Sequence, residues 1–226
     1  MNNAMHLIAT HTYKTCARGL FLIFFISTTG CALQATSASP SLYDFGPGHL
    51  GSSADPAPTQ APQAAARRPL IVADIDASPA LESNAVLYRL AYADAQQLKP
   101  YAQARWSMTP AQLVRQRLRE HLGQSRTLLN PGDSVGKGSA APLTLRLELE
   151  EFSQLFDSPG TSVGLLRLRA TVVQANAPAE PTLAQRMVIV QRPAASADAA
   201  GGVRALTIAT DAAIQEIDAW LQTLAL

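Results

Sequence analysis

Seven consecutive residues set the first constraint on the fold. Leu143-Thr144-Leu145-Arg146-Leu147-Glu148-Leu149 alternates without a break. Successive side chains of an extended chain point to opposite faces, so four leucines lie on one side and polar residues on the other. A strand of this kind needs neighbours in a sheet and a second layer over its leucines. The same period returns after the Ser158-Pro159-Gly160 turn. There Leu166, Leu168, Ala170 and Val172 alternate with Arg167, Arg169, Thr171 and Val173. A further turn runs from Asn176 to Pro181, and residues 187–190 supply another strand. Three strands with short connections predict an antiparallel meander.

The covering layer is also legible. Thr109-Pro110-Ala111-Gln112 combines an N-cap, a proline at the first helical position and a Gln three residues after the cap, which is a capping-box pattern. The helix is predicted to run to about Leu122, with Val114, Leu118 and Leu122 on one stripe and Gly123 as C-cap. Near the C-terminus, Leu206, Ala209, Ala213, Ile214, Ile217, Trp220, Leu221 and Leu224 fall mostly three and four apart, the stripe of a second helix. Upstream, Leu70 to Ile75 reads as a buried strand ending near Asp76. Ala85 to Tyr92 reads as a second strand, and a short strand is expected at residues 102–105 beyond Pro100. The expected architecture is α+β: a mostly antiparallel β-sheet with two main helices packed on one face, in a single domain over residues 69–226.

Residues 1–30 read as an export signal. Lys14 and Arg18 precede the apolar run Gly19-Leu20-Phe21-Leu22-Ile23-Phe24-Phe25-Ile26. That run is far shorter than the roughly 20 residues that span a bilayer. It fits the apolar core, about 7–15 residues, of a signal peptide. Ser27-Thr28-Thr29-Gly30 then leads to Cys31, a pattern similar to the bacterial lipobox, with Thr28 where Leu is most common. The resemblance implies cleavage between Gly30 and Cys31 and lipid on the Cys31 thiol; two or three acyl chains anchor far more firmly than one. Ala32, rather than Asp, follows the cysteine. By resemblance to enterobacterial sorting, this implies the periplasmic face of the outer membrane. Residues 31–68, rich in Ala, Pro and Ser, read as the lipidated N-terminus and a flexible tether. The island Leu42-Tyr43-Asp44-Phe45 is a candidate to dock on the domain.

Composition excludes several functions. The chain has 18 Lys+Arg against 17 Asp+Glu, and the leader holds Lys14 and Arg18. A surface this neutral has no long-range field to gather nucleic acid. The two cysteines, Cys16 and Cys31, leave the folded part without a disulfide or a thiolate metal site. His6 and His11 leave with the leader, His49 lies in the tether, and His121 alone sits in the domain. No cluster has metal-ligand spacing. Gly136-Lys137-Gly138 departs from a phosphate loop at both ends and reads as a flexible connection. Asp74 and Asp76 read as turn residues at a strand end. Glu148 and Glu150 are expected to pair across strands with Arg167 or Arg169. Nothing supplies a nucleophile with a base and an orienting group, so neither an enzyme nor a cofactor is expected. A secreted hydrolase would need such a set.

One segment carries a family resemblance. It reads Ser78-Pro79-Ala80-Leu81, Val86-Leu87-Tyr88-Arg89, Tyr101-Ala102, Arg105-Trp106, and Thr109-Pro110 before a helix rich in Leu and Arg. With the lipobox ahead of it and Tyr43-Asp44-Phe45-Gly46 soon after that, the chain resembles the ABC-type transport auxiliary lipoprotein family, the PqiC/YmbA-like group. Val86 stands where that family usually has Ile. The resemblance implies a non-catalytic periplasmic partner of an ABC transporter or permease and an MCE-domain protein, in a system that moves lipids or other apolar compounds between membranes. It also implies a homo-oligomeric ring. Tyr88, Arg89, Tyr101, Arg105 and Trp106 become candidates for a partner or oligomer interface. Their alternative is structural: core packing for the aromatic residues and a carboxylate partner for Arg89. Arg146, Arg167, Arg169 and Arg186 could line one sheet face. The alternative function is an envelope-assembly lipoprotein that stabilises a partner without handling lipid.

Overall fold

The sheet is organised around one long strand, β6 (Leu143–Ser158). A computed structural model describes residues 39–48, 67–133, 141–174 and 181–224. Gly30, Cys31 and the rest of the leader lie outside the described residues, as do His49, most of the tether and the loop around Lys137. Along one edge, β6 pairs antiparallel with β7 (Thr161–Gln174), and β7 pairs antiparallel with β8 (Thr182–Pro193). This is the expected meander. The other edge of β6 is divided. Its first half pairs in parallel with β2 (Leu70–Ala77), and Gln154 to Phe156 pair in parallel with β3 (Ala85–Leu90). From β3 the sheet continues to β4 (Ala95–Trp106) and then to β1 (Ser41–Tyr43); from β2 it continues to the two-residue β5 (Leu128–Leu129). The sheet is therefore mixed and forked, with its longest ladders antiparallel.

The alternation read from the sequence decides the core. Leu143, Leu145, Leu147 and Leu149 are all buried, as are Leu166, Leu168, Ala170 and Val172 on β7. Two helices cover this face: α1 (Pro110–Gly123) and α2 (Ala199–Thr223). The predicted capping box forms. Thr109 Oγ1 accepts from Gln112 N at 3.4 Å, and Gln112 Oε1 accepts from Thr109 N at 3.1 Å. Gly123 remains helical rather than capping, and the Gln124 N–H closes the end on His121 O and Leu122 O.

The differences from expectation have local causes. Within the stretch read as a tether, the island Leu42–Phe45 docks as expected, and it does so as a strand: Ser41–Tyr43 pairs with Ala104 to Trp106 and delivers Phe45 to the core. The compact unit accordingly begins at Ser39. β3 stops at Leu90, because Ala91–Asp94 form a helical turn that reverses the chain. β4 is twelve residues long despite Pro100. β1 covers only residues 104–106, so no described strand pairs with Pro100 on that side, where a missing N–H breaks no ladder. Asp74 and Asp76 lie inside β2, around a bulge between Val72 and Ile75.

α2 begins seven residues before the stripe read from the sequence. Asp198 caps it by accepting from Gly201 N at 2.7 Å, and that bond leads the causes that hold its carboxyl below the usual range. The double glycine hides this start from a propensity reading. Its reason is close approach. A Cβ on Gly202 would collide with the Gln154 amide, and one on Gly164 of β7 would lie 2.6 Å from Leu206 N. Gly164→Ala is expected to destabilise the protein by about 1–3 kcal/mol, the usual range for overpacking. Gly160→Ala, with open space around it, is the control. Urea unfolding of the two variants checks this, and equal midpoints would contradict the close packing.

Candidate functional site

The five signature residues are spread along β3 and β4, and of these two strands β3 pairs with the second half of β6. Tyr88 and Tyr101 lie on adjacent strands with ring centroids 4.6 Å apart, and Phe156 meets the Tyr88 ring edge-on at 6.1 Å. The Tyr101 hydroxyl donates to Gln154 Oε1 at 2.8 Å, and Gln154 Nε2 donates to Ser162 Oγ at 2.7 Å. Gln154 is completely buried. Both ends of its amide are therefore satisfied by this relay, as a buried polar group requires. Burial, followed by the nearby Tyr88 and Asp198, pushes the Tyr101 phenol up to about 12.

Arg89 points to the opposite face of β3. Its guanidinium donates to both Glu151 oxygens, at 3.4 and 3.0 Å, and to the carbonyls of Ala95 and Gln96 at 3.3 and 3.1 Å. It ties the turn between β3 and β4 to the middle of β6. Arg105 Nη1 donates to the carbonyls of Tyr101 and Ala104 on its own strand. Trp106 is completely buried between Phe45 and Phe152, with centroids 5.7 and 5.6 Å away. The five thus form no single exposed patch. Trp106 offers no surface at all, Arg89 bonds to Glu151 and two carbonyls, Arg105 engages one of its nitrogens on its own strand, and the two tyrosines are half-buried. Tyr101 and Arg89 link β4 and β3 to β6, and Trp106 packs on Phe152 of β6.

The arginines also divide. Arg169 pairs with Glu150 at 2.6 Å and Glu148 at 3.6 Å on the outer face, the cross-strand pairing expected of these acids. Arg186 lies opposite the inward-facing Ala170 and bonds Glu216 of α2 at 2.7 Å. It is therefore on the helix side and does not share a face with Arg167 and Arg169. Arg167 and Arg169 stand opposite Ile189 and Met187, which are 54% and 40% exposed. The sheet face away from α1 and α2 thus mixes apolar and cationic groups.

Two further features were not read from the sequence. Arg126 and Asp218 form a buried ion pair at 3.1 Å, joined by His121 at 3.4 Å and by Gln222. Desolvation lowers the Arg126 pKa against the opposing pull of Asp218. A groove of ≈ 880 Å³ also runs between β2 and α1, with Asp76, Glu82, Met108 and Arg115 among its lining. The signal for it was Asp74-x-Asp76: two acids in an otherwise apolar strand mark a place where that strand leaves the core. Among the described residues, no cluster could hold a metal ion. No described helix is long and apolar enough to cross a membrane.

The Tyr101 relay has a measurable signature. A raised phenol pKa means that the folded protein holds the proton more tightly than the unfolded chain. Its contribution is complete below pH 10, the ordinary tyrosine value, and is lost as pH rises toward 12. An absorbance titration is expected to show one phenolate forming near pH 12, and Tyr101→Phe is expected to remove it. The same substitution leaves Gln154 Oε1 without its donor and is expected to cost about 1–3 kcal/mol in denaturant unfolding. A wild-type titration complete by pH 11 would contradict the relay.

Comparison with known proteins agrees with this fold. A protein of Xanthomonas campestris of known structure superposes with a TM-score of 0.61 at 16% identity, covering 83% of this chain and 95% of its own. A second solved structure, of an uncharacterized protein, gives 0.56 at 14% identity, covering 83% of this chain and 99% of its own. At these identities the likeness is one of fold. No curated protein matches the chain. The model of the family described as "ABC-type transport auxiliary lipoprotein component" matches residues 52–218, most of the folded unit. By that match, the chain belongs to the ABC-type transport auxiliary lipoprotein family.

Proposed function

We propose that this protein is a lipid-anchored, non-catalytic component that docks an MCE-domain partner at the periplasmic face of the outer membrane. The system it serves moves lipids or other apolar compounds between membranes, powered by an ABC transporter. The observation that carries this reading is the family match over residues 52–218. Export and anchoring rest on the sequence: an apolar leader, cleavage after Gly30, and lipid on Cys31. The chemistry of the domain is in keeping with docking. Polar side chains in its interior bond to one another, as in the Tyr101–Gln154–Ser162 relay and between Arg126 Nη2 and Asp218. Groups so engaged hold a shape; they are not held free for a substrate. A ring of copies, as the resemblance implies, would present several identical docking faces to one partner assembly.

The test is affinity purification of the full-length, natively lipidated protein from crosslinked envelopes. Bound proteins and lipids are identified by mass spectrometry, beside a Cys31→Ser control. The expected outcome is an MCE-domain protein that is lost or much reduced in the control, with phospholipid recovered if the domain handles cargo itself. Recovery of neither, from protein that is folded and membrane-bound, would refute docking and favour a purely structural role in the envelope.

A further inference from the structure

One stretch of strand edge has no described neighbour. β2 runs from Leu70 to Ala77, but β5 pairs only with Leu70 and Ile71. On that side no described strand lies against residues 72–77. Leu70 is buried, and its N–H points to this side, where it bonds Thr127 O at 3.0 Å. Main-chain groups and side chains alternate together along a strand. The inward-facing residues of β2 therefore direct their N–H and C=O groups to this edge. Beyond the bulge these residues are Ile75 and Ala77, which pair with the buried Leu147 and Leu149.

Beside this edge lies the groove of ≈ 880 Å³, walled on its far side by Gln112, Arg115, Gln116 and Arg119 of α1. A free strand edge next to a helix is the arrangement by which extended peptides add to a sheet: main-chain pairing gives affinity, and alternate side chains give specificity. Arg115 closes one end. It donates to the carbonyls of Ala73 and Val72 at 3.1 and 3.3 Å, so the free run begins after the bulge. Asp74 neutralises it at 3.3 Å. Glu120 has Arg117 at 4.0 Å, and Arg119 reaches Asn130. Asp76 and Glu82 line the groove, are exposed, and have no ion-pair partner among the described residues. Asn130 is neutral, so Arg119 offsets one of these two charges, and the charge left over is still negative.

We propose that this groove takes an extended, lysine- or arginine-bearing segment of a partner protein as an added strand on β2. Its backbone pairs with Ile75 and Ala77, and its basic side chains reach Asp76 and Glu82. This rests on the reading that the domain works by docking a protein, and it names the chemistry of the docked segment.

The experiment uses the full-length chain in non-ionic maltoside micelles. The probe is the fluorescein-labelled hexapeptide acetyl-Lys-Val-Lys-Val-Lys-Val-amide, compared with its Glu-for-Lys analogue and a version N-methylated at alternate residues. Fluorescence anisotropy reads binding, and hydrogen exchange reads protection. The lysine peptide is expected to bind saturably and to slow exchange in residues 72–77. The glutamate analogue is expected to bind at least about tenfold more weakly. N-methylation, which removes pairing donors while keeping charge, is expected to abolish binding. Asp76→Lys with Glu82→Lys, two exposed positions, is expected to reverse the charge preference without changing the circular dichroism spectrum. No saturable binding, equal binding of the N-methylated probe, or protection outside β2 and α1 would each overturn the proposal. If these peptides fail while the crosslinked partner is still recovered from envelopes, the groove is refuted and the docking reading stands.

Discussion

The fold depends on how β6 satisfies its left edge. A buried strand must place every N–H and C=O in a hydrogen bond, and β6 is too long for either β2 or β3 to do this alone. The two divide it, and a bulge at Leu149/Glu151 on the opposite ladder lies near the changeover. There the strict alternation of leucines ends in two consecutive acids. Glu150 is held by Arg169 of β7, and Glu151 by Arg89 of β3. β7 and β3, on opposite edges of β6, are thus both fixed to the same short stretch, β3 through a two-toothed guanidinium–carboxylate contact.

This division explains which parts of the structure could be read from the chain. Burial on one face writes itself as a period of two, so the faces of β6 and β7 were legible from their leucines. The capping box is equally local, and α1 began where it was expected. What escaped depends on distant partners. The docking of the Leu42–Phe45 island was legible, but its form was not: three residues carry no periodicity, and only pairing with Ala104–Trp106 makes Ser41–Tyr43 a strand. Gly201-Gly202 looks like a break because the purpose of Gly202, close approach to Gln154, lies on another element. Pro100 looks like a strand end because the reach of β1, which covers only residues 104–106, cannot be seen in sequence.

The signature residues teach the same lesson about function. Tyr, Trp and Arg favour both cores and interfaces, since each joins a large apolar or planar body to a polar end. Sequence alone leaves that choice open for Tyr88, Arg89, Tyr101, Arg105 and Trp106. In the structure three of them make contacts within the sheet: Trp106 against Phe45 and Phe152, Arg89 on Glu151, Tyr101 on Gln154. Even Arg186, which by sequence could share a face with Arg167 and Arg169, is drawn to Glu216 of the covering helix.

A domain that spends its distinctive side chains on itself must meet partners with what remains. At the β2 edge, what remains is backbone. Main-chain donors and acceptors are present whatever the residue, and a few exposed carboxylates suffice to bias their choice of ligand. Recognition of that kind asks little of side-chain identity beyond charge. It asks much of geometry: the bulge, the position of α1 and the length of β5 must all hold for the edge to stay open. In this chain the bulge is braced by Arg115 on the carbonyls of Val72 and Ala73, and α1 is held by Arg117 on Asp211 of α2 and on the Phe45 carbonyl. The same arginine contacts that secure the core therefore also set the width of the groove.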